Sequence, residues 1–295
     1  MVQLSIIVLS FNTKKLTLAC IDSILKHYKK QLEDSVFEII VVDNNSSDDT
    51  VATINKQLIT NNKKYFKIIT NKENFGFAKG NNIGAKQARG KYLFFLNSDT
   101  QVEDSGLVEM VDFLDKHKNV GVCGAKLINA DKTTQPSAGK FYNIIPLVLV
   151  LVGTERLGFV RFSPVDISQV DWISGGAMMV QGDLFKRLSG FDENFFMYME
   201  DMELCYRAKK LGADTYFYPN ISIVHKELGS SNRTFAILSI YKGLLYFYKK
   251  HKSSWEYIIV SGLLKAKAFV AIFLGIITQN GYLKNTYKKA LALSL

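Results

Sequence analysis

Short apolar runs alternate with longer helical periods through the first half of the chain. Residues 4–9 (LSIIVL) and 37–42 (FEIIVV) are nearly continuous and rich in β-branched side chains, the pattern of strands buried on both faces. Residues 66–70, 92–96 and 121–127 repeat it. Between these runs the spacing changes. Leu16, Ala19, Cys20, Ser23, Ile24 and His27 fall on one helix face, with Thr13 placed to cap it. Further helices are expected from Asp48 or Asp49 to about Leu58, and over residues 78–88 and 105–117. Strands alternating with helices of this length form βαβ units, so the expected fold class is α/β with a mainly parallel central sheet flanked by helices. Residues 129–170 interrupt the alternation with glycines, prolines and an apolar patch at 144–152. Order returns at Val170, with helices expected at 183–188 and 200–211 and strands at 215–218 and 221–224. After Asn232 the pattern is helical and amphipathic, which divides the chain into a domain over 1–232 and a tail over 233–295.

Polar clusters close the apolar runs. Ser10-Phe11-Asn12, Asp43-Asn44, the stretch from Asn71 to Asn74 and Asn97-Ser98-Asp99 each follow a strand. In an open parallel sheet these positions share the carboxyl rim, where ligands bind.

Composition changes this picture in one respect. The 295 residues are 47% hydrophobic, which suits a folded domain, but the net charge is +10. Eleven Lys and Arg from Lys226 onward face only Glu227 and Glu256, so the excess lies in the tail. A nucleic-acid enzyme gathers basic charge around its site; a basic tail is a docking surface instead, so no nucleic-acid partner is expected. The stretch YKGLLYFYKKHK fits a helix lying on an anionic membrane surface. The longest apolar run, 268–278, is about half of a membrane span, and Lys265 and Lys267 oppose its extension at ~2.5–3.5 kcal/mol each. The expectation is therefore a cytoplasmic protein peripheral to the inner membrane face. The same helices equally suit a homodimer. Cys20, Cys123 and Cys205 show no zinc or disulfide spacing.

Four constellations can carry chemistry. Asp99 after a buried strand, with Asn97 two positions before it, can hold a divalent cation against a diphosphate, although Asp is also a common helix cap. In NFGFAKGNNIG, Gly76, Gly80 and Gly84 recur every four residues, which serves close helix–sheet packing or close approach of a diphosphate, while Asn74, Phe77 and Asn82 are candidate donor contacts. Glu200 and Asp201 open a helix, where the dipole favours carboxylates and one of them can act as a base. His225 follows a strand and can join a metal site, with Gly229-Ser230-Ser231 and Arg233 close enough in sequence to meet phosphates. Trp172 beside Ser174-Gly175-Gly176 is either core or a platform for a sugar ring.

Together the stretches SIIVLSFN, VVDNNSSDDT, NFGFAKGNNIG, YLFFLNSDT, VDWISGGAMMVQGDLFKRLSGFDENFFMYMEDMELCYRAKKLG and IVHKELGSS resemble glycosyltransferase family 2, in its rhamnosyltransferase-like bacterial branch. They run in the family's order over about residues 3–232. The resemblance implies a GT-A fold and an inverting transferase with Mg²⁺ or Mn²⁺ as cofactor. It places Ser10, Asn12, Asp43, Asn44, Asn74, Phe77, Asn82, Asn97 and Ser98 at the donor nucleotide. Trp172, Gly175 and Gly176 would face the sugar and acceptor, Asp99 and His225 would hold the metal, and Asp201 with Glu200 would be catalytic. Asn97 stands where the family's metal motif usually has its first acid. The implied donor is a nucleotide-diphospho-sugar, dTDP-L-rhamnose first and UDP-glucose, UDP-GlcNAc or UDP-galactofuranose as alternatives. The implied acceptor is a lipid-linked saccharide. A catalytically dead carbohydrate-binding scaffold is the competing class, disfavoured because Asp99, Asp201 and His225 are all present. A nucleotidyltransferase would need a glycine-rich basic loop after the first strand, where this chain has Ser10-Phe11-Asn12.

Overall fold

The computed structural model describes residues 1–59, 64–226 and 232–293. The strands are β1 (Leu4–Ser10), β2 (Phe37–Asp43), β3 (Phe66–Thr70), β4 (Tyr92–Asn97), β5 (Thr100–Val102), β6 (Val120–Ile128), β7 (Thr134–Gln135), β8 (Ala138–Gly139), β9 (Arg161–Phe162), β10 (Ser168–Val170), β11 (Trp172–Ile173), β12 (Ala177–Gln181) and β13 (Asp214–His225). The helices are α1 (Lys14–His27), α2 (Lys29–Glu33), α3 (Thr50–Ile59), α4 (Gly76–Ala85), α5 (Leu107–Lys116), α6 (Ile144–Leu151), α7 (Gly182–Arg187), α8 (Glu200–Lys210), α9 (Arg233–His251), α10 (Ser254–Ile277) and α11 (Gly281–Leu293).

The main sheet runs β10-β13-β6-β12-β4-β1-β2-β3. Strands β4, β1, β2 and β3 pair in parallel, as do β6 and β13. Strand β12 is inserted antiparallel between β4 and β6. The expected parallel sheet is thus mixed at that point, because a short loop and not a crossover helix leads into β12. Register sets the rim. Ser10 lies opposite Asp43, and Leu9 opposite Asn97, so three strands end within one residue of a common level. A separate small sheet, β11-β8-β9, leads through β11 into the loop before β12. Two apolar layers sandwich the main sheet, one against α1 and α5 and the other against α4, α7 and α8.

Several expectations change in detail. The strands read as 215–218 and 221–224 are one strand, β13, with a register irregularity between Tyr218 and Ser222 around Pro219. Thr13 precedes α1 but makes no capping bond, because its hydroxyl turns to Ser10, Thr17 and Ser98. The apolar run 268–278 is the end of a longer helix. α10 has 24 residues and a mean hydropathy of 1.9 over its apolar window, which is long and apolar enough to cross a membrane. The small residues of α4 are explained by packing: a Cβ on Gly80 would lie 2.6 Å from Leu9 Cδ1, and one on Gly84 2.7 Å from Ile7 Cγ2. Those two glycines bring α4 down onto the sheet.

Candidate active site

Each expected residue has a definite place. Asp43 ends β2 fully buried; its Oδ2 accepts the Ser46 N–H at 2.9 Å, while Oδ1 has no partner. An unsatisfied buried acceptor at the sheet rim is suited to a donor N–H from a bound ligand. Asn44 ties two loops together, donating to Asn74 Oδ1 and the Gly76 carbonyl and accepting from Asn71. Asn74 in turn accepts the Gly76 N–H at 2.9 Å. Gly76 has φ 76°, and a Cβ there would lie 2.2 Å from the Phe196 carbonyl, so only glycine fits. Asn12 is exposed in the left-handed region and accepts the Ser47 N–H at 2.8 Å. Ser98 contacts Thr13 at 3.0 Å.

Four expected ligand contacts turn out to be engaged inside the protein. Ser10 is fully buried, with its hydroxyl 2.9 Å from that of Thr17. Phe77 packs edge-on to Phe191 beneath Gly175. Asn82 donates to the Phe191 carbonyl at 2.8 Å and to Glu193, and accepts the Phe191 N–H at 2.9 Å, so it clamps the loop before α8. Trp172 is 5% exposed and donates to the Lys140 carbonyl at 2.9 Å, so its face is no open platform for a sugar.

Asp99 and His225 meet. His225 Nδ1 lies 2.8 Å from Gln135 Oε1, an oxygen that can only accept, so the ring proton belongs on Nδ1. The Nε2 lone pair then points toward Asp99 Oδ1 at 3.3 Å, with Asn97 Nδ2 at 3.4 Å. Carboxylate oxygen and imidazole lone pair facing each other suit a divalent cation, and a carbonyl-type partner on the far nitrogen is the usual support for a metal-binding histidine. Two protein groups suffice only if the ligand supplies the rest; among the described residues no cluster of three His, Cys, Asp or Glu could hold a metal alone.

Glu200 and Asp201 form the second centre. Tyr198 and Met199, just before α8, are consecutive non-glycine residues in the left-handed region at φ 70° and 77°, a strain of about 1–3 kcal/mol each. The turn points the first residues of α8 at the Gly175 loop. Asp201 Oδ2 accepts the Gly175 N–H at 3.0 Å and Oδ1 the Met202 N–H at 2.7 Å. A Cβ on Gly175 would sit 3.0 Å from Phe77 and 3.4 Å from Asp201 Cβ, so the loop needs glycine to come this close. Burial raises the Asp201 pKa, against the Gly175 and Met202 N–H groups and the charge of Arg161. Burial, then the charge of Asp201, drives Glu200 much higher; its buried Oε2 has no partner. Ionisation is thus disfavoured at both neighbouring carboxyls. The Gly176 carbonyl accepts the Asn97 N–H at 3.1 Å, so one glycine loop joins Asp201 to the Asp99 rim.

Two residues of this site carry no sequence signal. Gln135 orients His225 from an irregular segment. Arg161 opens β9, and its guanidinium carbon lies 5.8 Å from the Trp172 ring, with a buried, unpartnered Nε. Neither lies in a motif, since chain folding alone brings them in. Glu203 on α8 pairs with Arg207 one turn later at 2.7 Å. It is fully buried and also meets Lys250 at 2.8 Å and His251 at 2.9 Å, both on α9. Burial opposes its ionisation, yet His251, Arg207 and Lys250 hold its pKa below the ordinary range. Of the expected phosphate contacts, Gly229-Ser230-Ser231 lie outside the described residues.

Comparison with known proteins bears on the family and the fold. Residues 5–178 match the model of the family described as "Glycosyl transferase family 2". Rhamnosyltransferase WbbL of Escherichia coli (strain K12) is 24% identical over 160 residues, which is 51% of this chain and 61% of that protein. The N-acetylglucosaminyl-diphospho-decaprenol L-rhamnosyltransferase of Mycobacterium tuberculosis is 25% identical over 175 residues, 56% of this chain and 57% of that protein. The chain thus matches little more than half the length of these curated relatives. Among solved structures, the mannosyltransferase PcManGT of Pyrobaculum calidifontis, in complex with GDP-Man and Mn²⁺, superposes with a TM-score of 0.61 at 15% identity, covering 99% of this chain and 86% of that one. That likeness is one of fold.

Proposed function

The chain belongs to glycosyl transferase family 2 and is a glycosyltransferase of GT-A fold, and from that premise we propose an inverting enzyme that moves a hexose from a nucleoside-diphosphate donor to an acceptor hydroxyl. The observation that carries the proposal is the pairing of two unlike centres through one loop: Asp99 with His225 on one side of Gly175-Gly176, Asp201 on the other.

Asp201 takes the proton of the acceptor hydroxyl as that oxygen bonds to the anomeric carbon, and the bond from that carbon to the diphosphate oxygen breaks. Attack from the face opposite the leaving group inverts the configuration. The raised pKa makes Asp201 a better base than an exposed aspartate, and the Gly175 and Met202 N–H groups fix the direction of its lone pairs. Burial and the neighbouring Asp201 disfavour a second negative charge on Glu200. The free Asp43 Oδ1 can accept from the nucleotide base. Asp99 and His225 would hold Mg²⁺ or Mn²⁺, which supplies neutralisation of the charge growing on the departing diphosphate.

We take dTDP-L-rhamnose as the donor and a lipid-linked saccharide as the acceptor, because both relatives named above are rhamnosyltransferases and the name of one carries a diphospho-decaprenol-linked sugar. The protein would then work at the cytoplasmic face of a membrane. Titration of dTDP-rhamnose, UDP-glucose, UDP-GlcNAc, UDP-galactofuranose and GDP-mannose with and without Mn²⁺ tests the donor. Binding of dTDP-rhamnose that requires Mn²⁺ is expected. Preference for another sugar replaces the donor; binding of none, by folded protein with metal present, overturns the proposal.

A further inference from the structure

A helix facing water hides its apolar residues and shows its polar ones. Helix α10 does the opposite. Its packed side is Val260, Leu264, Ala268, Ala271 and Gly275, mostly small residues that let neighbouring helices approach. At Gly275 the approach is so close that a Cβ would lie 2.7 Å from the Lys284 nitrogen of α11. Its outer side carries Trp255, Ile258, Phe269, Phe273 and Ile277, each between 59% and 68% exposed. No charged residue interrupts that line; Lys265 and Lys267 are only partly exposed. Helix α6 packs beside it, tied by a bond from Lys267 Nζ to the Leu151 carbonyl at 2.7 Å, and presents Ile145 and Val152 at 75% and 66% exposure. Helices α9 to α11 carry nine Lys or Arg against one acid, Glu256.

We infer that α10 lies flat in one leaflet of an anionic lipid bilayer, with its outer line among the acyl chains and the lysines at the headgroups. A basic rim around an apolar line matches an anionic surface over an acyl interior, whereas a second copy would bring like charges together. Length alone would permit crossing, since 24 residues span about 36 Å against about 30 Å of hydrocarbon. Packing decides against it. The inner side is committed along its length to α9 and α11, and α9 is held to α8 through Glu203. The hold is therefore insertion and not only attraction between charges. The seat deepens the lipid-linked acceptor reading and rests on it for its purpose.

The seat is measured without donor or acceptor, so it and the proposed reaction fail separately. The full chain is mixed with phosphatidylcholine vesicles with and without phosphatidylglycerol, and lipids brominated at shallow or deep positions are used as quenchers. The chain has two tryptophans, and Trp172 is buried, so Trp255 is the reporter. Expected are binding enhanced by phosphatidylglycerol that survives a high-salt wash, and shallow quenching lost in Trp255→Phe. Ala266→Trp in that background should also be quenched at shallow depth, and Phe269→Asp with Phe273→Asp should weaken binding at least tenfold with thermal unfolding unchanged. Deep quenching at position 266 means crossing and overturns the inference, as does binding that salt fully reverses. It falls too if the double variant turns a dimer into a monomer while vesicle binding persists.

Discussion

Asp99 and Asp201 are aspartates at the two ends of one glycine loop, and their surroundings are opposite. Asp99 faces a histidine lone pair, with Gln135 keeping the imidazole proton on the far side. Asp201 faces backbone N–H groups and has another carboxylate as its chain neighbour. The first arrangement gathers lone pairs around a point and calls for a cation. The second crowds negative charge in the interior and calls for a proton. Residue type does not assign a carboxylate its chemistry; what stands opposite it does.

The sharpest way to break the contrast is Asp201→Asn, which keeps the shape and removes the base. Turnover should fall by about 10²–10⁴-fold while the donor titration stays unchanged; near-normal turnover would remove Asp201 from the chemistry. Next is Glu203→Ala, on the same helix but serving as a brace. It leaves Arg207, Lys250 and His251 without their shared carboxylate and should cost about 3–5 kcal/mol in urea unfolding. A loss under about 1 kcal/mol would mean that the ion cluster does not secure α9. On the cation side, Gln135→Leu frees the His225 ring and should weaken Mn²⁺ affinity by about 10–100-fold, with turnover restored at saturating metal. Unchanged affinity would show that the ring needs no such guide. The smallest effect is on pH. Activity falls as Asp201 takes up a proton, and Arg161 opposes that uptake, so Arg161→Met should move the acid limb of the kcat profile to higher pH. Arg161→Lys should return it; a limb that stays in place would separate Arg161 from the base.

The sheet was legible because a buried strand needs a continuous apolar run, and β1, β2 and β4 each have one. The rim was legible for the same reason, since polar clusters end those runs. What sequence could not supply was orientation. Asn82 and Trp172 have the chemistry of ligand contacts, yet folding turns the first onto Phe191 and the second onto Lys140. Gln135 and Arg161 arrive through the irregular stretch after β6, where no period marks them. Helix α10 was underestimated because its two lysines look prohibitive in a linear window, whereas in three dimensions they sit beside the apolar line and leave it unbroken.

Helices α9 and α10 meet at Lys252 and Ser253, where the backbone is extended at ψ 171° and 156°. Before that joint, Gly243 backs the strained Met199 so closely that a Cβ would lie 2.9 Å from its Cγ. After it, the hairpin of α10 and α11 is held by apolar packing and hydroxyl contacts such as Thr234 with Thr286. The border between the part braced by ion pairs and the part held by packing therefore falls inside the basic tail and not at its start. A chain cut at that joint would keep the whole Glu203 brace, which lies between α8 and α9.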